Sequence, residues 1–228
     1  LNNIWQDVVP ILDRRFDEEG DYILGGDFYS EVRQSIPKYF NMITDGSRRI
    51  EIIINNLRDF TIKSKSELTQ EVDVNRIASI SASILQHQIK KHTRNFTLSL
   101  SPVPLTIKGN QQQLEQVLVN LIVNAIQSLS SIDRAVRLTT GYDASQQSVI
   151  VTVSDEGCGI QPEHLPYVFD PFFSTKLESG GTGLGLAISS NIIKEHGGRL
   201  EIKSAAGIGT TAVIILTPLD SSLMEEKR

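Results

Sequence analysis

The chain has 228 residues, of which 39% are apolar and 21% charged, and its formal net charge is −5. These values are ordinary for a globular protein of one large or two small domains, and the acidic balance gives no reason to expect a nucleic-acid partner. No apolar run is long enough to span a membrane, and the single cysteine, Cys158, excludes an internal disulfide framework. We expect a cytoplasmic fragment, and the full-length protein could still carry a membrane anchor.

The first 65 residues are predicted to be a helical region. Residues 1–30 show a short helical pattern that Pro10 interrupts, with loops at 17–21 and 25–27. Over 31–64 apolar residues recur in alternating steps of four and three, which is an a/d heptad seam. The seam consists of Val32, Ile36, Tyr39, Ile43, Gly46, Ile50, Ile53, Leu57 and Phe60, with Gly46 as its one flaw. This pattern favours the second helix of a helical hairpin that dimerises; the alternative is a helix packed only on its own domain.

A polar linker is predicted at 66–72, followed by a second domain at 73–218 and a tail at 219–228. Asp73 is the expected N-cap of the first helix of that domain. The predicted elements are helices at 74–93 and 111–130, strands at 96–101, 135–142 and 148–155, and a hairpin at 199–205 and 211–217. Helices mixed with hairpin strands predict a two-layer α+β domain rather than a Rossmann sheet.

The densest functional signal is the glycine-rich loop at 180–185, in which Gly181, Gly183 and Gly185 alternate with other residues before an apolar helix begins. Each glycine weakens a regular helix or strand by about 1 kcal/mol, so such a loop suits close approach to a ligand. The start of the following helix favours an anion, and we predict a phosphate site. The alternative is a Gly-rich hairpin or a packing loop. Neither the Walker motif nor the G-x-G-x-x-G motif is present.

Two asparagines lie four residues apart on the helix 111–130. Asn120 and Asn124 therefore stack on one flank, beside an apolar stripe that we expect to be buried. Carboxamide oxygens suit Mg²⁺ that is shared with polyphosphate oxygens. Taken alone, the pair would rather be interpreted as two solvated surface residues with no ligand. The stripe consists of Leu114, Leu118, Leu121, Ile122, Ala125 and Leu129.

Two further segments carry candidate site residues. Asp155 ends a predicted strand just before Gly157 and Gly159, where its carboxylate could accept a hydrogen bond from the exocyclic amine of adenine. The segment 169–176 places aromatic residues and a proline before Lys176, which could neutralise a phosphate beneath a mobile lid. The alternatives are an Asp-Gly turn and an ordinary core segment with a solvated lysine.

The order and spacing of these motifs resemble the N, G1, F, G2 and G3 boxes of sensor histidine kinases. The boxes correspond to the asparagine pair, the Asp155 loop, the Phe/Pro segment, the loop 181–185 and Gly207-x-Gly209-Thr210. These kinases belong to the superfamily of gyrase, heat-shock chaperone and mismatch-repair ATPases, with a GHKL-type ATP-binding fold. The resemblance covers about residues 73–218 and implies a mixed sheet covered by helices, with ATP and Mg²⁺ bound between the helices.

The resemblance also implies a role for each residue. Asn124 would be the main Mg²⁺ ligand with Asn120 assisting, and both would act in catalysis together with Lys176. Asp155 would bind the adenine amine, with Thr210 near the same base. The loop of Gly157, Gly159 and Ile160 would pass under the nucleotide. Backbone N–H groups that would bind the phosphates belong to Gly181, Thr182, Gly183, Leu184 and Gly185. The implied partners are a response-regulator receiver domain and a second copy of the chain.

Position 120 bears on the reaction type. In hydrolysing relatives a glutamate at this position activates water, whereas an amide cannot accept a proton at neutral pH. Asn120 therefore favours transfer to a protein nucleophile. The alternatives are a hydrolysing ATPase of the superfamily, a nucleotide-sensing module without catalysis and a serine-kinase anti-sigma factor. No histidine is followed by an acid, so we expect the phosphoacceptor to be absent here and His87, His92, His164 and His196 to be structural or surface residues.

Overall fold

The computed structural model describes residues 2–61, 68, 70–175 and 181–219. The chain divides into two compact units, 1–58 and 59–228, and each is described here by itself. Among the described residues, no helix combines the length and the apolar character needed to cross a lipid bilayer. Residues 66, 67 and 69 of the predicted linker at 66–72 lie outside the described residues, and its last part, 70–72, belongs to a strand.

The N-terminal unit is a helical hairpin. Helix α1 (Asn2–Glu19) is continuous through Pro10, so the interruption predicted there is wrong. A proline removes one helical hydrogen bond at a cost of about 3 kcal/mol, which local sequence reasoning treats as a break and tertiary packing can offset. Strands β1 (Ile23–Leu24) and β2 (Asp27–Phe28) pair across a turn at Gly25 and Gly26, so the loop predicted at 25–27 is present except that Asp27 already belongs to β2. Helix α2 (Tyr29–Thr61) follows.

Aromatic contacts fix the two helices of this hairpin antiparallel. The ring of Trp5 meets that of Phe40 edge-on, and Phe16 packs against Tyr29 near the turn. Tyr29 is fully buried, and its hydroxyl donates to the Oδ1 atom of Asp13 at 2.6 Å. The tip of the hairpin therefore has a packed core of its own.

The C-terminal unit contains most of the regular structure. Its α-helices and β-strands are β3 (Gln70–Asp73), α3 (Val74–Ile84), α4 (Gln86–His92), β4 (Asn95–Ser99), β5 (Thr106–Gly109), α5 (Gln111–Ser128), β6 (Ala135–Asp143), β7 (Ser148–Asp155), α6 (Gly185–Glu195), β8 (Arg199–Ala205) and β9 (Gly209–Leu216), with a short 3-10 helix at Leu165–Tyr167. The main sheet has the order β4-β6-β7-β9-β8, in which only the β4–β6 pair is parallel. Strands β3 and β5 form a separate antiparallel ladder. The predicted two-layer α+β architecture is therefore confirmed.

The core lies between one face of the main sheet and the helices α3, α5 and α6. Along β7, Val149, Val151 and Val153 are buried while the residues between them are half-buried, as expected for a strand with one covered face. The apolar stripe predicted on α5 is buried as far as Ala125, and Leu129 is half-buried beyond the end of the helix. This packing turns the opposite flank of α5 towards the loops that follow β7 and precede α6.

The first part of the second unit differs from the prediction in two respects. Asp73 caps α3 as expected, because its carboxylate accepts from the backbone N–H of Asn75 at 2.9 Å. The helix predicted over 74–93 nevertheless breaks at Leu85 and continues as α4. Strands β3 and β5 were not predicted at all. Each has four residues, and such short segments become strands through pairing with each other rather than through a pattern of their own.

Candidate functional site

Helix α5 presents three polar residues in a row. It begins at the cap Asn110, whose side chain accepts from the backbone N–H of Gln113 at 3.0 Å. Asn120, Asn124 and Ser128 then follow at intervals of four, and all three are half-buried. Because residues four apart share one flank of a helix, these side chains line one edge of α5.

The side chain of Asn120 connects α5 to the glycine-rich loop. Its Nδ2 group donates to the Ser189 hydroxyl at 2.9 Å, and its Oδ1 atom lies so close to Gly185 that a Cβ atom there would collide with it. The amide is thus turned with its acceptor oxygen towards the start of α6. Among the described residues, none makes a hydrogen bond to the side chain of Asn124, one turn further along.

Three donors fix the carboxylate of Asp155 at the end of β7. Its Oδ1 atom accepts from the backbone N–H of Gly157 at 2.8 Å and from that of Thr210 at 3.3 Å. The Ser128 hydroxyl lies 2.9 Å from the same oxygen and shares its single proton between that oxygen and the Ala125 carbonyl oxygen at 2.7 Å. Asp155 is therefore oriented jointly by β9, by the loop after β7 and by the last turn of α5.

The first glycine loop packs against the loop between β8 and β9. Gly159 has a φ of +65°, and a Cβ atom at this position would overlap the carbonyl oxygen of Ala205. The N–H of Gly207 donates to the Cys158 carbonyl at 2.7 Å, which holds the two loops together. Glycine is required at 159 both for the positive φ and for this approach.

Ser204 links Ile160 to Thr210. The Ile160 N–H donates to the Ser204 hydroxyl oxygen at 2.9 Å, and the Thr210 hydroxyl lies 2.9 Å from the same oxygen. The predicted adenine-side residues Asp155, Ile160 and Thr210 are thus joined in one hydrogen-bonded group together with Gly157.

The second glycine loop leads into α6 and contacts the aromatic segment before it. The N–H of Phe172 donates to the Gly183 carbonyl at 3.0 Å, and Gly183 has a φ of +69°. Leu184 precedes α6, is buried, and supplies no side-chain hydrogen bond to the helix. The first N–H groups of an uncapped helix have no helical partner and can bind an anion.

Lys176 and Gly180 lie outside the described residues, so the predicted role of Lys176 stays a prediction. The described part of the predicted lid includes Phe173, whose ring packs against those of His164 and Tyr167. Phe173 therefore contributes to local packing, as the alternative interpretation of the sequence also expected, whereas Phe172 is 57% exposed.

The donor set suits magnesium only when other oxygens are also supplied. Among the described residues, no three His, Cys, Asp or Glu side chains come together as metal ligands. A divalent cation beside Asn120 and Asn124 would take neutral carboxamide oxygens and complete its octahedron with phosphate oxygens and water, as Mg²⁺ does in nucleotide complexes. The orientation of the Asn120 oxygen towards Gly185 fits that arrangement.

The serines that orient the predicted site residues were not predicted from the sequence. Ser128 belongs to the same interval of four as the asparagines, and that spacing could have revealed it. Ser189 and Ser204 act through contacts across 69 and 44 residues respectively, to Asn120 and Ile160. No local pattern marks contacts of that range.

Known proteins are similar to this chain in sequence and in fold. Residues 109–221 match the family described as "Histidine kinase-, DNA gyrase B-, and HSP90-like ATPase". Signal transduction histidine-protein kinase AtoS of Escherichia coli is 32% identical over 179 residues, which cover 78% of this chain and 29% of AtoS. Sporulation kinase C of Bacillus subtilis is 32% identical over 189 residues, which cover 80% of this chain and 41% of that protein.

A solved catalytic domain of histidine kinase ThkA is 27% identical, with a TM-score of 0.57, and the match covers 65% of this chain and 94% of that domain. The chain spans between 26% and 41% of the length of the curated relatives it matches. The family match and these relatives confirm the resemblance deduced from the motifs and the GHKL-type α+β fold expected from it.

Proposed function

Because residues 109–221 belong to the histidine kinase-, DNA gyrase B- and HSP90-like ATPase family, we propose that this chain is the kinase part of a sensor histidine kinase. It binds Mg-ATP and transfers the γ-phosphate to a histidine on a dimerisation helix, for relay to an aspartate of a response regulator. The observation that carries the proposal is the contact between α5 and α6, which brings the Asn120 carboxamide against the glycine loop.

The adenine end of the site is formed by Asp155. Neighbouring donors orient its carboxylate before any ligand arrives. The carboxylate can therefore accept a hydrogen bond from the exocyclic amine of adenine with little loss of side-chain entropy on binding. Guanine has a carbonyl oxygen at that position, which would face the carboxylate with like partial charge. Thr210 lies beside the same carboxylate and would contact the base.

The phosphate end of the site is formed by backbone N–H groups at 181–185 and the start of α6. Leu184 gives α6 no side-chain cap, so the first N–H groups of that helix remain for an anion. The chain's net charge is −5, so attraction of the triphosphate relies on these local donors rather than on a basic field. Lys176 would add a positive charge to the same loop.

Asn124 and Asn120 would hold the magnesium ion. When bound, Mg²⁺ neutralises charge on the phosphate oxygens and aligns the γ-phosphate with the acceptor. Ser189 keeps the amide nitrogen of Asn120 occupied, which leaves the amide oxygen for the cation. Asn124, one turn away on the same flank, would supply the second oxygen.

Position 120 also supports transfer over hydrolysis. A carboxamide cannot take a proton from water at neutral pH. The one acidic residue of α5, Glu115, lies five residues earlier and therefore about 140° around the helix, where Gln111 donates to it at 2.7 Å. Catalysis by this site would consist of positioning and charge neutralisation rather than activation of water.

None of the four histidines of this chain is proposed as the phosphoacceptor. In sensor histidine kinases, which this chain resembles, the phosphoacceptor histidine is followed by an acidic residue, and none of these four is. We therefore propose that these 228 residues do not phosphorylate themselves but phosphorylate a supplied acceptor helix.

Dimerisation through the helical hairpin is part of the same proposal. On α2, Tyr39, Ile43 and Ile50 are between 58% and 61% exposed, although they belong to the heptad seam. An exposed apolar row at heptad spacing is suited to a second copy of the helix. A concentration-dependent dimer by sedimentation, lost on replacing Ile43 and Ile50 by lysine, would support this assignment.

Isothermal titration with a non-hydrolysable ATP analogue, with and without Mg²⁺, tests nucleotide binding. Asn124→Ala should abolish the magnesium-dependent part of the affinity. Asn191→Ala is a matched control, because Asn191 is an exposed asparagine on α6 outside the proposed site. Transfer is tested by radiolabelled ATP and a separate acceptor hairpin, on which acid-labile and base-stable phosphate is expected.

A further inference from the structure

His196 joins the end of α6 to the beginning of α5. Its Nδ1 atom lies 2.7 Å from the Ile192 carbonyl oxygen, and its Nε2 atom lies 3.0 Å from the backbone nitrogen of Asn110. A backbone N–H can only donate, so Nε2 is the acceptor in that contact. The proton of the neutral ring is then on Nδ1, which donates to Ile192.

The imidazole also packs directly against the backbone before α5. A Cβ atom on Gly109 would lie 2.6 Å from Cδ2 of His196, which is closer than real Cβ contacts. Asn110, to which the ring is bonded, is the residue whose side chain caps α5. His196 is therefore anchored at the first residues of the helix that carries both asparagines.

Hydrogen bonds link the α5 and α6 segments at two places, near opposite ends of α6. Asn120 meets Ser189 beside the glycine loop, and Asn110 meets His196 at the far end. The helices are consequently antiparallel. Because a helix of 11 residues, about 16 Å long, moves as a rigid rod, its position at His196 determines where its first turn stands against Asn120.

We infer that His196 is a positioning residue of the nucleotide site, which sets the axial position of α6 and so places the phosphate-binding N–H groups opposite the carboxamides. This inference rests on the proposed function. It assigns to the far end of α6 a contribution to affinity for the triphosphate, although His196 is outside the set of residues proposed to bind nucleotide or metal.

The chain offers a matched histidine without the second contact. On α4, the Nδ1 atom of His92 lies 2.9 Å from the Gln88 carbonyl oxygen, the same interval of four residues as in His196. Among the described residues, His92 has no contact equivalent to that with Asn110. Substitution of His92 therefore removes only a contact within its own helix, α4.

Two substitutions separate the contact between helices from the local one. In His196→Asn, the short carboxamide can still donate within α6 but cannot reach Asn110. In His196→Gln, the longer side chain can place its amide oxygen near the former Nε2 position and accept from the Asn110 N–H. His92→Asn controls for the loss of a histidine. Val149→Ala controls for general destabilisation, because Val149 is buried at the beginning of β7 and Asp155 is at the end of that strand.

The first measurement is the affinity of each folded variant for Mg²⁺ with the ATP analogue, by calorimetry. We expect His196→Asn to bind about three- to tenfold more weakly, in the range of couplings carried by packed networks, and His196→Gln to stay within about twofold of the original chain. Both controls should keep the original affinity. The inference would be overturned if His196→Asn bound the nucleotide as tightly as the original chain. It would also be overturned if Val149→Ala lost as much affinity as His196→Asn when the two variants have the same free energy of unfolding.

The second measurement needs no nucleotide. Hydrogen exchange of the backbone amides at 183–187 in the free protein should become faster in His196→Asn but not in His196→Gln or His92→Asn. Unchanged exchange in His196→Asn would overturn the positioning role. If the original chain bound no nucleotide while this exchange pattern held, the proposed function would fail and the coupling between the two helix ends would stand.

Discussion

The amide nitrogen of Asn120 lies 2.9 Å from the hydroxyl of Ser189 and holds the middle of α5 against the second turn of α6. Because this contact uses the nitrogen, the oxygen of the same amide is directed towards Gly185. A serine 69 residues away thus determines which atom of Asn120 a bound cation would meet.

Replacing Ser189 by alanine should weaken magnesium-dependent nucleotide binding about three- to tenfold, the equivalent of one neutral hydrogen bond. Binding of the nucleotide without Mg²⁺ should change little, because the N–H groups of the loop remain. Calorimetry with and without the metal measures both. Ser190→Ala is the control, since Ser190 is also buried on α6 but makes no hydrogen bond to Asn120. An equal loss with and without Mg²⁺ would contradict this role.

Asp155→Ala should lower the affinity for ATP by more than tenfold and should also remove the preference for ATP over GTP, since the carboxylate is the proposed partner of the adenine amine. Ser128→Ala should have a smaller effect in the same direction, because two backbone donors still orient Asp155. Competition of both nucleotides against a fluorescent analogue measures the preference. Retention of that preference in Asp155→Ala would remove the adenine role.

Gly159→Ala and Gly207→Ala test the contact between the two loops. Both glycines have positive φ values, +65° and +77°, so alanine is strained at either position by about 1 to 3 kcal/mol. Only Gly159 has the Ala205 carbonyl where a Cβ atom would stand; the space beside Gly207 is open. Thermal unfolding should show a clearly larger loss for Gly159→Ala. Equal losses would mean that backbone strain alone requires glycine at 159.

The stability of the N-terminal unit should fall at high pH through Tyr29. Burial, followed by the hydrogen bond to Asp13, raises the pKa of Tyr29 above its ordinary value of 10.0. A raised pKa in the folded state means that the contribution of Tyr29 is fully present below pH 10.0 and is lost as the pH rises beyond it. Urea unfolding of residues 1–58 should show this decline, and Tyr29→Phe should flatten it while costing about 1 kcal/mol at neutral pH. An unchanged decline in Tyr29→Phe would assign it to other groups.

Much of the second unit was predictable because its elements carry their own patterns. The buried stripe and the asparagine flank of α5 follow from one helical period, and the strands at 135–143 and 148–155 from apolar alternation. The spacing of the glycines predicts the positions of Gly159 and Gly183, but it does not predict which loops they contact. These features are local, so sequence alone defines them.

The remaining features depend on partners that are distant in sequence. Pro10 is tolerated because tertiary contacts hold α1 together, and β5 exists because β3 pairs with it. His196 has no sequence context that distinguishes it from His92, and only its contact with Asn110 does so. Its sequence context predicts a structural or surface residue, and the geometry links it to the positions of α5 and α6.

The central claim is that two carboxamides, one carboxylate and the glycine loop bind magnesium with an adenine nucleotide. Calorimetric titration of the folded chain with the ATP analogue tests it most directly, in Mg²⁺ and in chelator, with Asn124→Ala beside the original protein. The account predicts saturable binding that Mg²⁺ strengthens and a variant that gains nothing from the metal. Binding with no magnesium dependence, or the same dependence in Asn124→Ala, would contradict it.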